Sequence, residues 1–100
     1  MSYRPTGQRP PDDGEVVAFD VDGETVAVAS VDGQLYAFSD TCTHMQCSLS
    51  GGELEGRSIV CPCHLGTFDI ATGEVLDGPP PAPVRTWPVR AVDGVLELGT

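Results

Sequence analysis

Three Asp-Gly pairs, Asp22-Gly23, Asp32-Gly33 and Asp93-Gly94, each separate two short runs in which apolar residues alternate with others. EVVAFDV leads into the first pair, ETVAVASV joins the first to the second, and QLYAFS follows the second; VRTWPVRAV and VLELG flank the third. A two-residue hairpin loop needs positive φ at both turn positions, which Asp followed by Gly tolerates well, so each pair predicts a tight β-hairpin. No window keeps apolar residues at i, i+3, i+4 and i+7 for more than a turn. The expected class is all-β, built from antiparallel hairpins.

The two ends of the chain carry these hairpins, and the middle differs. Residues 1–14 are rich in Pro, Gly and Asp and are expected to form a loose lead-in. Between 40 and 70, SLSGGELEGR reads as a loop and SIV as a short strand, while GTFDI and GEVL flank Ala71-Thr72-Gly73 as another hairpin. DGPPPAP, residues 77–83, is stiff and extended because each proline fixes φ. One domain over residues 1–100 is expected, a sheet or sandwich from both chain ends that carries an inserted lobe over 40–83. A domain of 100 residues buries only about two-thirds of its unfolded surface, so a crosslink or a metal would add useful stability.

Charge narrows the range of partners. Fifteen acidic residues face five arginines and no lysine, a formal charge of −10. Such a chain has no basic stripe to displace counterions from phosphate, which argues against nucleic acid and against an anionic membrane surface. A basic protein surface is the natural complement. MSYRPTGQRPPDDGE contains no apolar run, and no segment approaches the roughly 20 apolar residues of a membrane span. The expected setting is soluble and cytoplasmic, where clustered cysteines act as metal ligands or redox groups sooner than as a disulfide framework.

All four cysteines and both histidines lie in two short stretches, CTHMQC at 42–47 and CPCHLG at 61–66. Cys42-x-His44 and Cys61-x-x-His64, sixteen residues apart, each offer one thiolate and one imidazole. Two cysteines and two histidines suit tetrahedral zinc, and equally a 2Fe–2S cluster with cysteines on one iron and histidines on the other. Zinc fingers usually pair like ligands along the chain; here each stretch supplies one of each kind. No nucleophile–base pair and no phosphate-cradling glycine loop occurs. Asp12-Asp13 and the Glu53, Glu55 pair read as solvated surface, and Trp87 as a core aromatic.

CTHMQC with CPCHLGTFD resembles the two cluster-binding loops of Rieske-type iron–sulfur proteins, and the hairpin-rich flanks and proline run fit that family over residues 15–98. The resemblance implies the Rieske fold, an antiparallel β base sandwich with an inserted cluster-binding lobe of two loops and a proline loop. It implies one 2Fe–2S cluster, with Cys42 and Cys61 on the inner iron and His44 and His64 on the outer. It implies further that Cys47 and Cys63 form a disulfide between the loops, and that Pro79, Pro80 and Pro81 shield the cluster from water. Met45, Gln46 and Leu65, beside the histidines, are candidates for an apolar docking rim.

High-potential members of the family place Ser two residues after the second histidine and Tyr four after it. This chain has Gly66 and Phe68 there, and its GTF run is more similar to soluble ferredoxins of multicomponent oxygenases. The resemblance therefore implies a monomeric one-electron carrier with no substrate conversion of its own. Its donor would be a flavin-containing NAD(P)H-dependent reductase, and its acceptor a terminal, aromatic-ring-hydroxylating oxygenase. The same motif would also serve the small subunit of an assimilatory nitrite reductase, and a zinc-stabilised β module for protein binding stands as the alternative of another class. A respiratory membrane subunit is disfavoured by the absence of an anchor helix.

Overall fold

Asp22, Asp32 and Asp93 adopt φ of 52°, 52° and 51°, and the glycines after them 85°, 79° and 77°. Both central residues of each turn are thus left-handed, the geometry that lets a two-residue loop follow the twist of its strands. The computed structural model describes residues 2–42, 47–63, 66–78 and 82–99. The strands among them are β1 (Tyr3–Pro5), β2 (Val16–Val21), β3 (Glu24–Val31), β4 (Gln34–Ser39), β5 (Glu53–Glu55) and β6 (Ser58–Val60). They continue with β7 (Thr67–Asp69), β8 (Val75–Asp77), β9 (Thr86–Trp87), β10 (Val89–Val92) and β11 (Val95–Gly99). They form three antiparallel sheets, ordered β2-β3-β4-β9, β1-β11-β10 and β5-β6-β7-β8. The first two come from the chain ends and make the base; the third is the inserted lobe. Among the described residues no helix is long and apolar enough to cross a membrane.

Strand β3 explains how the layers hold together. Its central run alternates Val with Ala, and successive side chains of a strand point to opposite faces. Val26 and Val28 pack with Ala37, Leu96 and Leu98 in the core between the base sheets. Ala27 and Ala29 face the other way, into a core shared with the lobe that holds Phe38, Cys42, Leu49, Ile59, Cys61, Phe68, Ile70 and Val84. Large residues fill the base, and small ones let the lobe approach closely. A fully buried valine contributes about 1.5–3 kcal/mol.

Several local readings are revised. The lead-in is anchored: β1 pairs with β11, the Thr6 amide donates to Leu96, and the Gly14 amide donates to Ser30 at 2.6 Å. Asp13, exposed, nonetheless accepts the Gly33 amide at 2.9 Å and so braces the β3–β4 turn. SLSGGELEGR is not all loop, because it holds a 3-10 turn at Leu49–Gly51 and the edge strand β5, whose Glu53 and Glu55 are exposed. VRTWPVRAV is two strands, since Pro88 cannot donate to a ladder: β9 pairs with β4, and β10 with β11. Trp87 is only partly buried, packed at the margin of the base core with the Arg85 guanidinium 4.6 Å above its ring.

Gly33 and Gly73 both have positive φ, but their surroundings differ. A Cβ on Gly33 would meet nothing within 4 Å, whereas one on Gly73 would run into the backbone carbonyl of Val84. Gly33→Ala is expected to cost about 1–2 kcal/mol of backbone strain. Gly73→Ala should cost about 1–3 kcal/mol more, because Val84 must move. Thermal unfolding of the two variants side by side checks the difference.

Candidate metal centre

Two hairpins bring Cys42 and Cys61 into one buried core. Along β6 and β7 the partners are Ser58↔Asp69, Ile59↔Phe68 and Val60↔Thr67. The next rung is the Cys61 amide donating to the Gly66 carbonyl at 2.7 Å. Cys61 therefore ends the paired stem of an antiparallel hairpin, closed by its own backbone amide.

The other stretch is built the same way. The Leu49 amide donates to the Asp40 carbonyl at 2.6 Å, Thr41 bridges Ser48, and the Cys42 amide donates to the Cys47 carbonyl at 2.9 Å. These are successive rungs of a second, shorter hairpin. Cys42 and Cys61 hold equivalent places, each donating its amide to the carbonyl five residues on and each followed by four tip residues. This equivalence was not read from the sequence. Its signal is the matched interval from Cys42 to Cys47 and from Cys61 to Gly66.

Cys42 and Cys61 are unbridged and completely buried, within the core that joins base and lobe. Phe68 is buried in the same core, so the position that carries Tyr in high-potential relatives is here wholly apolar. Cys47 and Cys63 form a disulfide with Cα atoms 6.4 Å apart, tying the end of the first tip to the middle of the second. Two thiols at matching positions, each two or three residues before a histidine in the sequence, match the donor set of a 2Fe–2S cluster with mixed ligation. The chemistry of the site fits that group.

His44, His64, Met45, Gln46, Leu65 and Pro79 to Pro81 lie outside the described residues. Among the described residues no group of three His, Cys, Asp or Glu side chains could hold a metal ion. The segment after the prolines is anchored: Val84 is buried in the shared core, and its amide donates to the Gly73 carbonyl at 2.9 Å.

The model of the Rieske [2Fe-2S] domain family matches residues 5–88. The ferredoxin component of the naphthalene 1,2-dioxygenase/salicylate 5-hydroxylase systems of a Ralstonia species is 42% identical over 78 residues, 78% of this chain and 75% of that protein. The corresponding component of the naphthalene 1,2-dioxygenase system of Pseudomonas putida is 41% identical over the same length. Among solved structures, the ferredoxin of carbazole 1,9a-dioxygenase from Nocardioides aromaticivorans superposes with a TM-score of 0.84 at 32% identity, covering 94% of this chain and 95% of that one. A chain from a complex of reduced oxygenase and oxidised ferredoxin in carbazole 1,9a-dioxygenase superposes with a TM-score of 0.82 at 35% identity, covering 87% and 82%.

The sulfur pairing is directly measurable. Denatured, chelator-treated protein alkylated without reductant is expected to carry two labels, on Cys42 and Cys61, and four after reduction. Replacing Cys47 and Cys63 with Ser frees a crosslink spanning 16 residues, and should lower stability by about 3 kcal/mol in thermal unfolding.

Proposed function

We propose that this chain, which belongs to the Rieske [2Fe-2S] domain family, is a one-electron carrier to the terminal oxygenase of an aromatic-ring-hydroxylating system. The observation that carries this reading is the extent of its likeness to ferredoxins. The superposition takes in 95% of a solved carbazole dioxygenase ferredoxin, and the sequence match spans 75% of a naphthalene dioxygenase ferredoxin component. That carbazole dioxygenase ferredoxins are captured in complex with their oxygenase supports the choice of acceptor. The donor is a flavin-containing NAD(P)H-dependent reductase, the carrier works as a cytoplasmic monomer, and it converts no substrate itself.

The chain carries one Rieske-type 2Fe–2S cluster, which supplies one-electron oxidation and reduction. Cys42 and Cys61 would hold one iron, His44 and His64 the other. The protein's share is to keep water from the thiolates, which it does by burying both cysteines in the shared core. It also keeps the ligand geometry constant, through the two closing amide bonds and the Cys47–Cys63 bridge. Its surface is strongly acidic, with three of the five arginines committed to ion pairs, Arg4–Asp22, Arg85–Glu24 and Arg90–Glu97. The field it presents steers it toward basic partner surfaces.

Anaerobically purified protein is expected to contain two irons and two acid-labile sulfides per chain. After reduction it should pass its electron to a purified aromatic-ring dioxygenase in stopped-flow mixing. His44→Ala or His64→Ala should abolish the mixed-ligand spectrum, since a site short of one ligand opens to water. One zinc and no iron would sink the proposal.

The midpoint potential follows from Gly66 and Phe68. Sulfur gains negative charge on reduction, so hydrogen bonds to it favour the reduced state, and neither side chain can donate one. At about 1–2 kcal/mol for each missing bond, the loss is roughly 40–80 mV apiece, taking 1.4 kcal/mol as about 59 mV for one electron. The expected midpoint lies below roughly +75 mV, in the lower half of a family range of about −150 to +300 mV. Film voltammetry tests this, and the Gly66→Ser/Phe68→Tyr double variant should shift the midpoint upward.

A further inference from the structure

We propose that Asp40 is a positioning residue for the first ligand loop, its buried carboxylate holding in place the limb that returns from Cys47. The inference rests on the reading of Cys42 as a cluster ligand. The hairpin that ends in Cys61 lies within a four-stranded sheet, with β5 and β8 on either side of β6 and β7. The hairpin that ends in Cys42 has no such frame. Its outgoing limb leaves β4 at Ser39, whose amide is already given to the Arg85 carbonyl, and its return limb turns at once into the 3-10 turn at Leu49–Gly51.

Asp40 supplies the missing frame. Its amide donates to the Thr25 carbonyl at 3.0 Å, fixing the outgoing limb to β3. Its carbonyl accepts the Leu49 amide at 2.6 Å, and its carboxylate accepts the Ser50 amide at 2.7 Å. One residue thus ties the base sheet, the loop stem and the 3-10 turn together. Asp40 is 4% exposed, and a carboxylate is rarely buried unless its hydrogen bonds repay the lost hydration. Leu49, next to Ser50, is fully buried in the same core as Cys42. A return limb that drifts therefore withdraws packing from the ligand itself.

The test compares Asp40→Ala with Asp40→Asn, which keeps an acceptor oxygen, and with Gly33→Ala, which weakens a turn elsewhere. The readouts on holoprotein are the rate of iron release to a chelator and hydrogen–deuterium exchange of a peptide spanning 47–53. Loss of a hydrogen bond to a charged group should speed both by about 10- to 100-fold in Asp40→Ala. Asp40→Asn should restore most of the wild-type rates, and Gly33→Ala should leave both unchanged. Asp40→Ser, too short to reach Ser50, repeats the test should Asp40→Ala not fold. Unchanged release and exchange in Asp40→Ala, or Asp40→Asn as damaging as Asp40→Ala, would overturn the role of Asp40. Absence of iron from the wild-type protein would instead overturn the ligand reading, while exchange in 47–53 would still show whether Asp40 holds the loop.

Discussion

The amide hydrogen bonds from Cys42 to Cys47 and from Cys61 to Gly66 set the geometry on which the rest of the site depends. Each ends a ladder, and each places a cysteine where the chain leaves a paired stem and enters a tip of four residues. Because the closing donor is the cysteine's own amide, its backbone cannot shift without opening the last rung. Each cysteine's place is thereby set by the backbone as well as by side-chain packing.

The core and the candidate centre are one structure. Cys42 and Cys61 are buried in the same core as Ala27, Ala29, Phe38 and Phe68, so the two candidate ligands lie where the lobe meets the base. A separate core lies between the base sheets, built on Val26, Val28, Leu96 and Leu98. The base therefore has apolar packing of its own, while the lobe's apolar residues pack in the core that also holds the two thiols. Binding energy at the centre is folding energy for the lobe.

The hairpins of both chain ends were legible in the sequence, because Asp-Gly turns and apolar alternation are local signals that tertiary contacts do not override. The two Cys/His stretches stood out by their spacing, and the Cys47–Cys63 disulfide followed from family resemblance. Strand β1 was not, because Tyr3–Pro5 is only an edge, held by β11 from the far end of the chain. Strand β5 was missed because Leu54, between two glutamates, gives too short a pattern. The break at Pro88 was visible as a residue, but what it divides, a strand of one sheet from a strand of another, depends on which neighbour each half meets. The frame around the first ligand loop lay furthest from view. Asp40 looks like any loop aspartate until Thr25, Leu49 and Ser50 are brought to it.

The three Asp-Gly turns differ in how freely the chain could be altered around them. Asp22 is bonded to Arg4, and Gly33 is braced by Asp13. The turn between β10 and β11, by contrast, carries no side-chain hydrogen bond or ion pair to another described residue, and the space around Gly94 is open. That turn belongs to the three-stranded base sheet, which contributes no residue to the core around Cys42 and Cys61. It is the natural point of attachment for a label, a linker or an electrode surface, leaving the lobe with Cys42 and Cys61 unobstructed.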